Sequence, residues 1–317
     1  LMLARHAEDL FWIGRYLERA EDTARLLNVT YHSSLEVSAG ASDHEPWSEL
    51  LSLLYLDEEG EGVDRERIAR FVVADRSNPG SIASVVSRAR ENARGVREWL
   101  TLELWEEINA FHLELAAMDL GRALEARPYA LCELIRRRCE TIVGVATVAM
   151  PRTEGYQFMT LGQLLERAGI TARLLSVWDT RMADMGDAAG FVEWTKVLRS
   201  VGAYEAYLRE HHAMFDGSRV IPFLLRAREL PRSVLYCLEV AERQLQQLSD
   251  GTHGRASLRG IGRVRSQVEY ADPYALSGAA LARTLSGVET GIQELGKAIE
   301  EDYFRDADFG LHAYETF

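Results

Sequence analysis

The chain is short of cysteine, of positive charge and of long apolar runs, and each shortage narrows what it can be. Cys132, Cys139 and Cys237 are odd in number and make no CxxC pair, which argues against a disulfide framework or a zinc knuckle. The longest apolar run, Ile142 to Met150, is too short to span a bilayer. Lys and Arg number 36 against 49 Asp and Glu, a net charge of −13. That balance argues against nucleic acid or an anionic membrane surface as partner. The start, Leu1-Met2-Leu3, runs at once into charged helix without a signal-peptide pattern, so a cytoplasmic location is expected. A zincin HExxH, a Gly-x-Ser-x-Gly elbow and a phosphate-binding glycine loop are all missing. No cofactor and no metal are expected, and whether the chain is catalytic stays open.

What the chain does have is a repeat. Gly14-Arg15-Tyr16-Leu17-Glu18-Arg19-Ala20 through Val29 returns as Gly162-Gln163-Leu164-Leu165-Glu166-Arg167-Ala168 through Val177, offset by 148, with eleven identities in sixteen positions. A fainter echo follows at offset 152, where Phe71, Pro79 and Ser81 match Phe223, Pro231 and Ser233. Two matches in the same order imply a duplicated unit of about half the chain. The expected fold is an all-α, internally duplicated helical bundle forming a single domain. Its two pseudo-symmetric repeats, about 1–148 and 149–302, pack on one another and are followed by an aromatic, acidic tail at 303–317.

The repeated segment reads as a helix. Leu10, Ile13, Leu17, Ala20, Ala24 and Leu27 form one apolar stripe. Counting 100° per residue from Gly14, Glu18 and Arg25 fall about 40° and 20° away, at the edge of that stripe. Gly162, Glu166 and Arg173 repeat the pattern. A carboxylate beside an apolar face is costly unless paired. Glu21 stands four residues before Arg25 and suits it as a local partner, whereas the equivalent of Glu21 is Gly169, which leaves Arg173 without one. The expected cross-repeat pairs are therefore Glu18 with Arg173 and Glu166 with Arg25. Glycines 14, 162 and 169 are expected to let the two backbones approach closely. The cluster reads either as a buried salt-bridge network or as a polar cleft between the repeats.

Helices are expected at about 4–37, 47–56, 64–74, 130–149, 154–184, 190–212 and 274–302, with another carrying Ile82 to Val96 and a matching one opened by Pro231-Arg232-Ser233 and running through Leu238 to Leu248. Asn78-Pro79-Gly80-Ser81 reads as a helix start with proline in the first turn. Breaks are expected at 39–42, 57–60, 216–217 and 250–252. Weaker features remain. His211 and His212 point about 100° apart on a helix and make a poor metal pair. Of Arg136-Arg137-Arg138, at most one or two can serve a single anion. Arg5 and Arg152 hold matching places ahead of the repeated helices and suit a peptide carboxylate or phosphate. The aromatics Tyr303, Phe304, Phe309, Tyr314 and Phe317 read either as a tail folded over the helices or as a docking strip.

Three stretches carry a family resemblance: Leu3-Ala4-Arg5-His6-Ala7-Glu8-Asp9-Leu10-Phe11-Trp12-Ile13-Gly14-Arg15-Tyr16-Leu17-Glu18-Arg19-Ala20; Met150-Pro151-Arg152-Thr153-Glu154-Gly155-Tyr156-Gln157-Phe158 running into Gly162 and Glu166-Arg167; and Pro231-Arg232-Ser233-Val234 with Cys237-Leu238. The chain resembles the alpha-E proteins over essentially its whole length, departing mildly at Pro151 and Tyr156. The resemblance implies an all-helical bacterial protein. It also implies an association with circularly permuted ATP-grasp ligases, transglutaminase-like peptidases and a proteasome-like peptidase, a setting in which peptides are made or modified. The expected function is an accessory or peptide-binding component of such a system. Arg5, Glu8, Arg15, Glu18, Arg25, Arg152, Glu154, Glu166 and Arg173 are its candidate ligand residues, and a peptide or amino-acid group its ligand. A stand-alone enzyme using Glu/Arg chemistry on peptide or amide bonds, and a self-associating structural protein, are the alternatives.

Overall fold

A computed structural model describes residues 2–36, 45–56, 64–185 (backbone alone for 179–185), 190–212, 214–249, 253–271 and 278–305. Among these residues there are fourteen α-helices and no strand. The first seven are α1 (Ala4–Glu36), α2 (Glu45–Leu53), α3 (Arg65–Val73), α4 (Ile82–Gly95), α5 (Leu102–Ala117), α6 (Leu120–Ala126) and α7 (Pro128–Ala149). The second seven are α8 (Glu154–Met185), α9 (Gly190–Ser200), α10 (Tyr204–His211), α11 (Gly217–Arg226), α12 (Val234–Leu248), α13 (Arg255–Glu269) and α14 (Gly278–Ile299). A π-helical turn at Glu300–Phe304 follows α14.

The organising pair is α1 with α8, helices of 33 and 32 residues and hence about 50 Å long. They run in the same direction, since Met2 N donates to Glu154 at one level and Arg19 Nε to Glu166 further along. The expected stripe is the buried one: Leu10, Ile13, Leu17, Ala20, Ala24 and Leu27 are all at most 2% exposed. Two glycines set the crossing. A Cβ at Gly14 would lie 2.0 Å from the carbonyl oxygen of Met159, and one at Gly162 would lie 2.0 Å from that of Phe11. No side chain fits in either place, so the backbones touch there. Gly169 does not share this role, contrary to expectation: a Cβ on it would meet nothing within 4 Å.

α4 and α7 pack on α1, and α5 bridges α4 and α7; α12 and α14 pack on α8, and α13 bridges α12 and α14. α4 and α12 begin alike, with Ser81 Oγ accepting from Ser84 N and Ser233 Oγ from Tyr236 N, the usual serine N-cap. Pro79 and Pro231 precede these caps and are not in the first turn. The expected helix at 190–212 is two helices, broken at Gly202, whose φ of +67° suits glycine. Tyr303 and Phe304 fold inward, Phe304 lying 5.4 Å from Phe11 and 6.1 Å from Phe158 between ring centroids. Phe309, Tyr314 and Phe317 lie outside the described residues, as do the breaks expected at 39–42, 57–60 and 250–252. No helix among the described residues is long and apolar enough to cross a membrane.

Candidate functional site

The close approach at Gly14 and Gly162 brings the charged residues of the next turn against the facing helix. Glu18 is 1% exposed. It accepts from Arg167 Nε at 2.6 Å and Nη2 at 2.7 Å, from Gln163 Nε2 at 3.0 Å and from Arg232 Nη1 at 3.0 Å. Those four bonds fill a carboxylate's roughly four acceptor positions. Burial alone would raise its pKa, but Arg167 and Arg232 more than offset that and bring it down to about 2. Glu166 holds the reciprocal position. It accepts from Arg15 Nε at 2.7 Å and Arg19 Nε at 2.6 Å, and Arg15 Nη2 also stands 2.7 Å from it. Against burial, these two arginines again lower the carboxyl pKa.

The donors differ from those expected. The arginine that answers each glutamate is the one next to the other glutamate, Arg167 for Glu18 and Arg19 for Glu166, and neither Arg173 nor Arg25 takes part. Eleven residues of rise, about 16 Å from the glycines, carry them well past the crossing. Arg25 instead bonds Glu21 and Glu140 at 2.8 and 2.9 Å. Arg173 donates to the Ser52 carbonyl, lies over the Tyr55 ring and stands 3.7 Å from Glu289. Arg5, Glu8, Arg152 and Glu154 sit at the helix starts, away from the crossing. Glu154 accepts from Met2 N, and Arg152 stacks on Tyr156, 3.9 Å from the ring centroid, while donating to the Thr147 carbonyl. Glu8 is exposed, its pKa raised by partial burial and by Asp9 and Glu300. Of the nine expected residues, the structure gathers three: Arg15, Glu18 and Glu166.

Several participants were not anticipated. Arg232, from the turn before α12, is 12% exposed at its side chain and binds Glu18, Glu21 and Asp22. Asp22 is buried. Its Oδ1 accepts from Arg232 at 2.8 Å, while its Oδ2 has no hydrogen-bond partner among the described residues. Burial first, and then the charge of Glu18, push its pKa well up against the opposing pull of Arg232. The identity of Arg19 with Arg167 in the repeat signalled their role. Arg232 gave no such signal, because its counterpart at offset 152 is Gly80.

A cavity of about 350 Å³ opens beside Glu166. Gly80, Asp22, Glu166, Gly169, Tyr55 and Glu289 contribute to its wall, with Arg15 and Arg19 alongside, and Glu18 does not reach it. The Glu289 carboxylate accepts from the Tyr55 hydroxyl at 2.9 Å. No group of three or more His, Cys, Asp or Glu among the described residues could hold a metal. His211 packs on the rings of Tyr207 and Phe223, and His212 ends α10 in the left-handed region.

An all-helical protein built around two Glu-Arg dipeptides that neutralise one another crosswise is the class these observations define. The chain belongs to the Alpha-E family, described as a predicted alpha-helical domain with a conserved ER motif, which matches residues 2–304. It is 26% identical over 333 residues to the uncharacterized protein Mb2597 of Mycobacterium bovis and, to the same extent, to the uncharacterized protein Rv2567 of Mycobacterium tuberculosis. Each match covers 93% of this chain and 36% of the relative, so the chain spans about a third of the length of these curated relatives. No solved structure matches it.

Proposed function

We propose that the chain is two copies of one helical unit. In this reading the Glu18 copy of the central site is closed and structural, and the Glu166 copy is open and binds a ligand. The observation that carries the reading is a vacated arginine. Arg232 reaches Glu18, Glu21 and Asp22. At the offsets of the repeat, Arg232 corresponds to Gly80, and its three partners to Glu166, Gly169 and Ile170. All four of these line the 350 Å³ cavity. The space a guanidinium fills in one copy is therefore empty in the other. Glu166 keeps unused acceptor capacity there, and Asp22, whose buried Oδ2 has no hydrogen-bond partner among the described residues, lines the same wall. The group that suits this space is a cation, a guanidinium or primary ammonium carried by an amino acid or peptide. Asp22, Glu166 and Glu289 would accept from it.

A module that binds such a group, and whose relatives carry it within a chain about three times as long, suits an accessory role beside another protein component. With the resemblance to alpha-E proteins, this supports the reading as a peptide-binding component of an ATP-grasp-dependent peptide synthesis or modification system. The lowered pKa of Glu166 speaks against a general base at that position. Titration calorimetry with Nα-acetyl-arginine amide and a short arginine-containing peptide tests the ligand. Binding is expected, and Gly80→Arg should abolish it by supplying the missing guanidinium while leaving the fold intact. Absence of binding, or binding unaffected by Gly80→Arg, would overturn the reading. A tagged pull-down from the native cell, with recovery of an ATP-grasp ligase expected, tests the partner.

A further inference from the structure

A second cavity, of about 480 Å³, lies between α1, α7, α9 and α10 and shares no residue with the first. Its wall carries Arg25, Arg136, Lys196, Arg199 and His32 and, among the described residues, no aspartate or glutamate, in a chain whose net charge is −13. The carboxylates that pair with Arg25, Arg136 and Lys196 are not among the lining residues. Glu21 and Glu140 hold Arg25, Glu133 and Glu140 hold Arg136, and Glu193 holds Lys196 at 2.8 Å. Such pairing fixes the cationic heads in place. Gly202 adds to the constraint: a Cβ there would fall 2.9 Å from Arg25 Nη1, so this left-handed glycine makes the room that the guanidinium occupies.

Two features distinguish this cavity from a set of internally satisfied ion pairs. Arg199 is exposed, has no carboxylate partner among the described residues and stands over the Tyr204 ring, 5.0 Å from its centroid. Thr195, also in the wall, has a buried hydroxyl without a hydrogen-bond partner among the described residues. The rim is apolar and aromatic: Phe191 and Val192 are 56% and 47% exposed, and Phe191 and Tyr204 both pack on Phe215. The volume falls in the range of small-molecule sites, roughly 300–1,000 Å³, and leaves room for more than a bare anion. Of Arg136-Arg137-Arg138, only Arg136 lines the cavity; Arg137 pairs with Glu133, and Arg138 with Glu107 and Glu114.

We propose that this cavity binds the phosphoryl group of a small phosphorylated molecule. Arg199, Lys196, Arg25 and the Thr195 hydroxyl face the phosphoryl oxygens, and the molecule's flat or apolar part rests on Phe191 and Tyr204. Guanidinium, ammonium and hydroxyl donors from separate positions on α1 and α9 match a tetrahedral, multiply charged group better than a planar carboxylate, which a single arginine fork satisfies.

The test is calorimetric titration of the whole protein at low ionic strength with ADP, inorganic pyrophosphate, citrate and adenosine as probes. ADP and pyrophosphate are expected to bind and to weaken with added salt, and adenosine to bind far more weakly. Arg199→Ala removes an exposed side chain without touching a buried pair. It should weaken ADP about tenfold or more, with Arg199→Lys intermediate and thermal melting unchanged. Gly80→Arg, which fills the other cavity, should leave ADP binding as it is. Lack of ADP and pyrophosphate binding, equal affinity in Arg199→Ala, or citrate bound in preference to pyrophosphate would each overturn the assignment.

Discussion

Replacing Glu18 by glutamine keeps the side chain's shape and removes its charge, and the structure sets the size of the effect. The carboxylate is buried and holds two guanidinium groups, of which Arg167 makes two bonds to it at 2.6 and 2.7 Å. Removing one partner of a buried pair leaves the other uncompensated and costs about 3–5 kcal/mol. The pKa gives a second route to that figure. A fall from 4.5 to about 2, at about 1.4 kcal/mol per unit, is worth about 3 kcal/mol. At roughly 2 °C per kcal/mol for a chain of this size, Glu18→Gln should melt about 6–10 °C lower at neutral pH, read by far-UV circular dichroism. The pH dependence has a definite sign. A depressed carboxyl pKa contributes stability that is present above 4.5 and lost as pH falls toward about 2. The wild type should therefore lose stability through that window more steeply than Glu18→Gln, and the two curves should converge at its acid end. A variant that melts with the wild type at neutral pH would refute the argument that this carboxylate is an essential buried counter-charge.

Two further outcomes follow from the crossing. Gly162→Ala drives a methyl group into the Phe11 carbonyl and should cost about 3 kcal/mol or more in urea denaturation. Gly169→Ala, in the same helix but with open space around it, should be neutral or stabilise by about 0.5–1 kcal/mol; equal effects would remove the close-approach explanation. Asp22→Asn tests the raised carboxyl. A raised pKa favours the protonated form in the fold, so ionised Asp22 opposes folding as pH climbs. The asparagine variant should be at least as stable as wild type at pH about 8, with the difference closing below 3.8, the ordinary value for an aspartate. A less stable variant at the higher pH contradicts this.

Much of the centre was legible in the sequence. The apolar stripe from Leu10 to Leu27 is the buried face of α1, and the repeat held the matches of Glu18 with Glu166 and of Arg19 with Arg167, although only the two glutamates stood among the expected ligand residues. Helical rotation alone misassigned the donors, because it ignores rise: Arg25 and Arg173 lie about three turns beyond the glycines. Arg232 was hidden for a different reason. It belongs to another helix start, and its counterpart is a glycine, so the repeat carried no mark of it. α13 was missed because Gly260 and Gly262 weaken its local propensity, while part of what supports its first turn comes from far along the chain: Asp302 accepts from Ser257 N and Oγ, both at 2.8 Å. α5, by contrast, has ordinary helical composition and a local cap at Thr101, and its signals were present in the sequence.

The crosswise pairing at the crossing has a consequence for how the protein is made. Glu18 is answered by Arg167, and Arg19 by Glu166, residues that leave the ribosome some 148 positions later. At about 5–20 residues per second, the first helix spends roughly 7–30 s in the growing chain before its counter-charges exist. Through that interval its apolar stripe has no α8 to lie against. Until then α4 and α7 are the helices available to cover α1, and the face that α8 covers stays open to solvent. Synonymous codons that slow translation between the two long helices should lengthen that exposure without changing one atom of the finished fold.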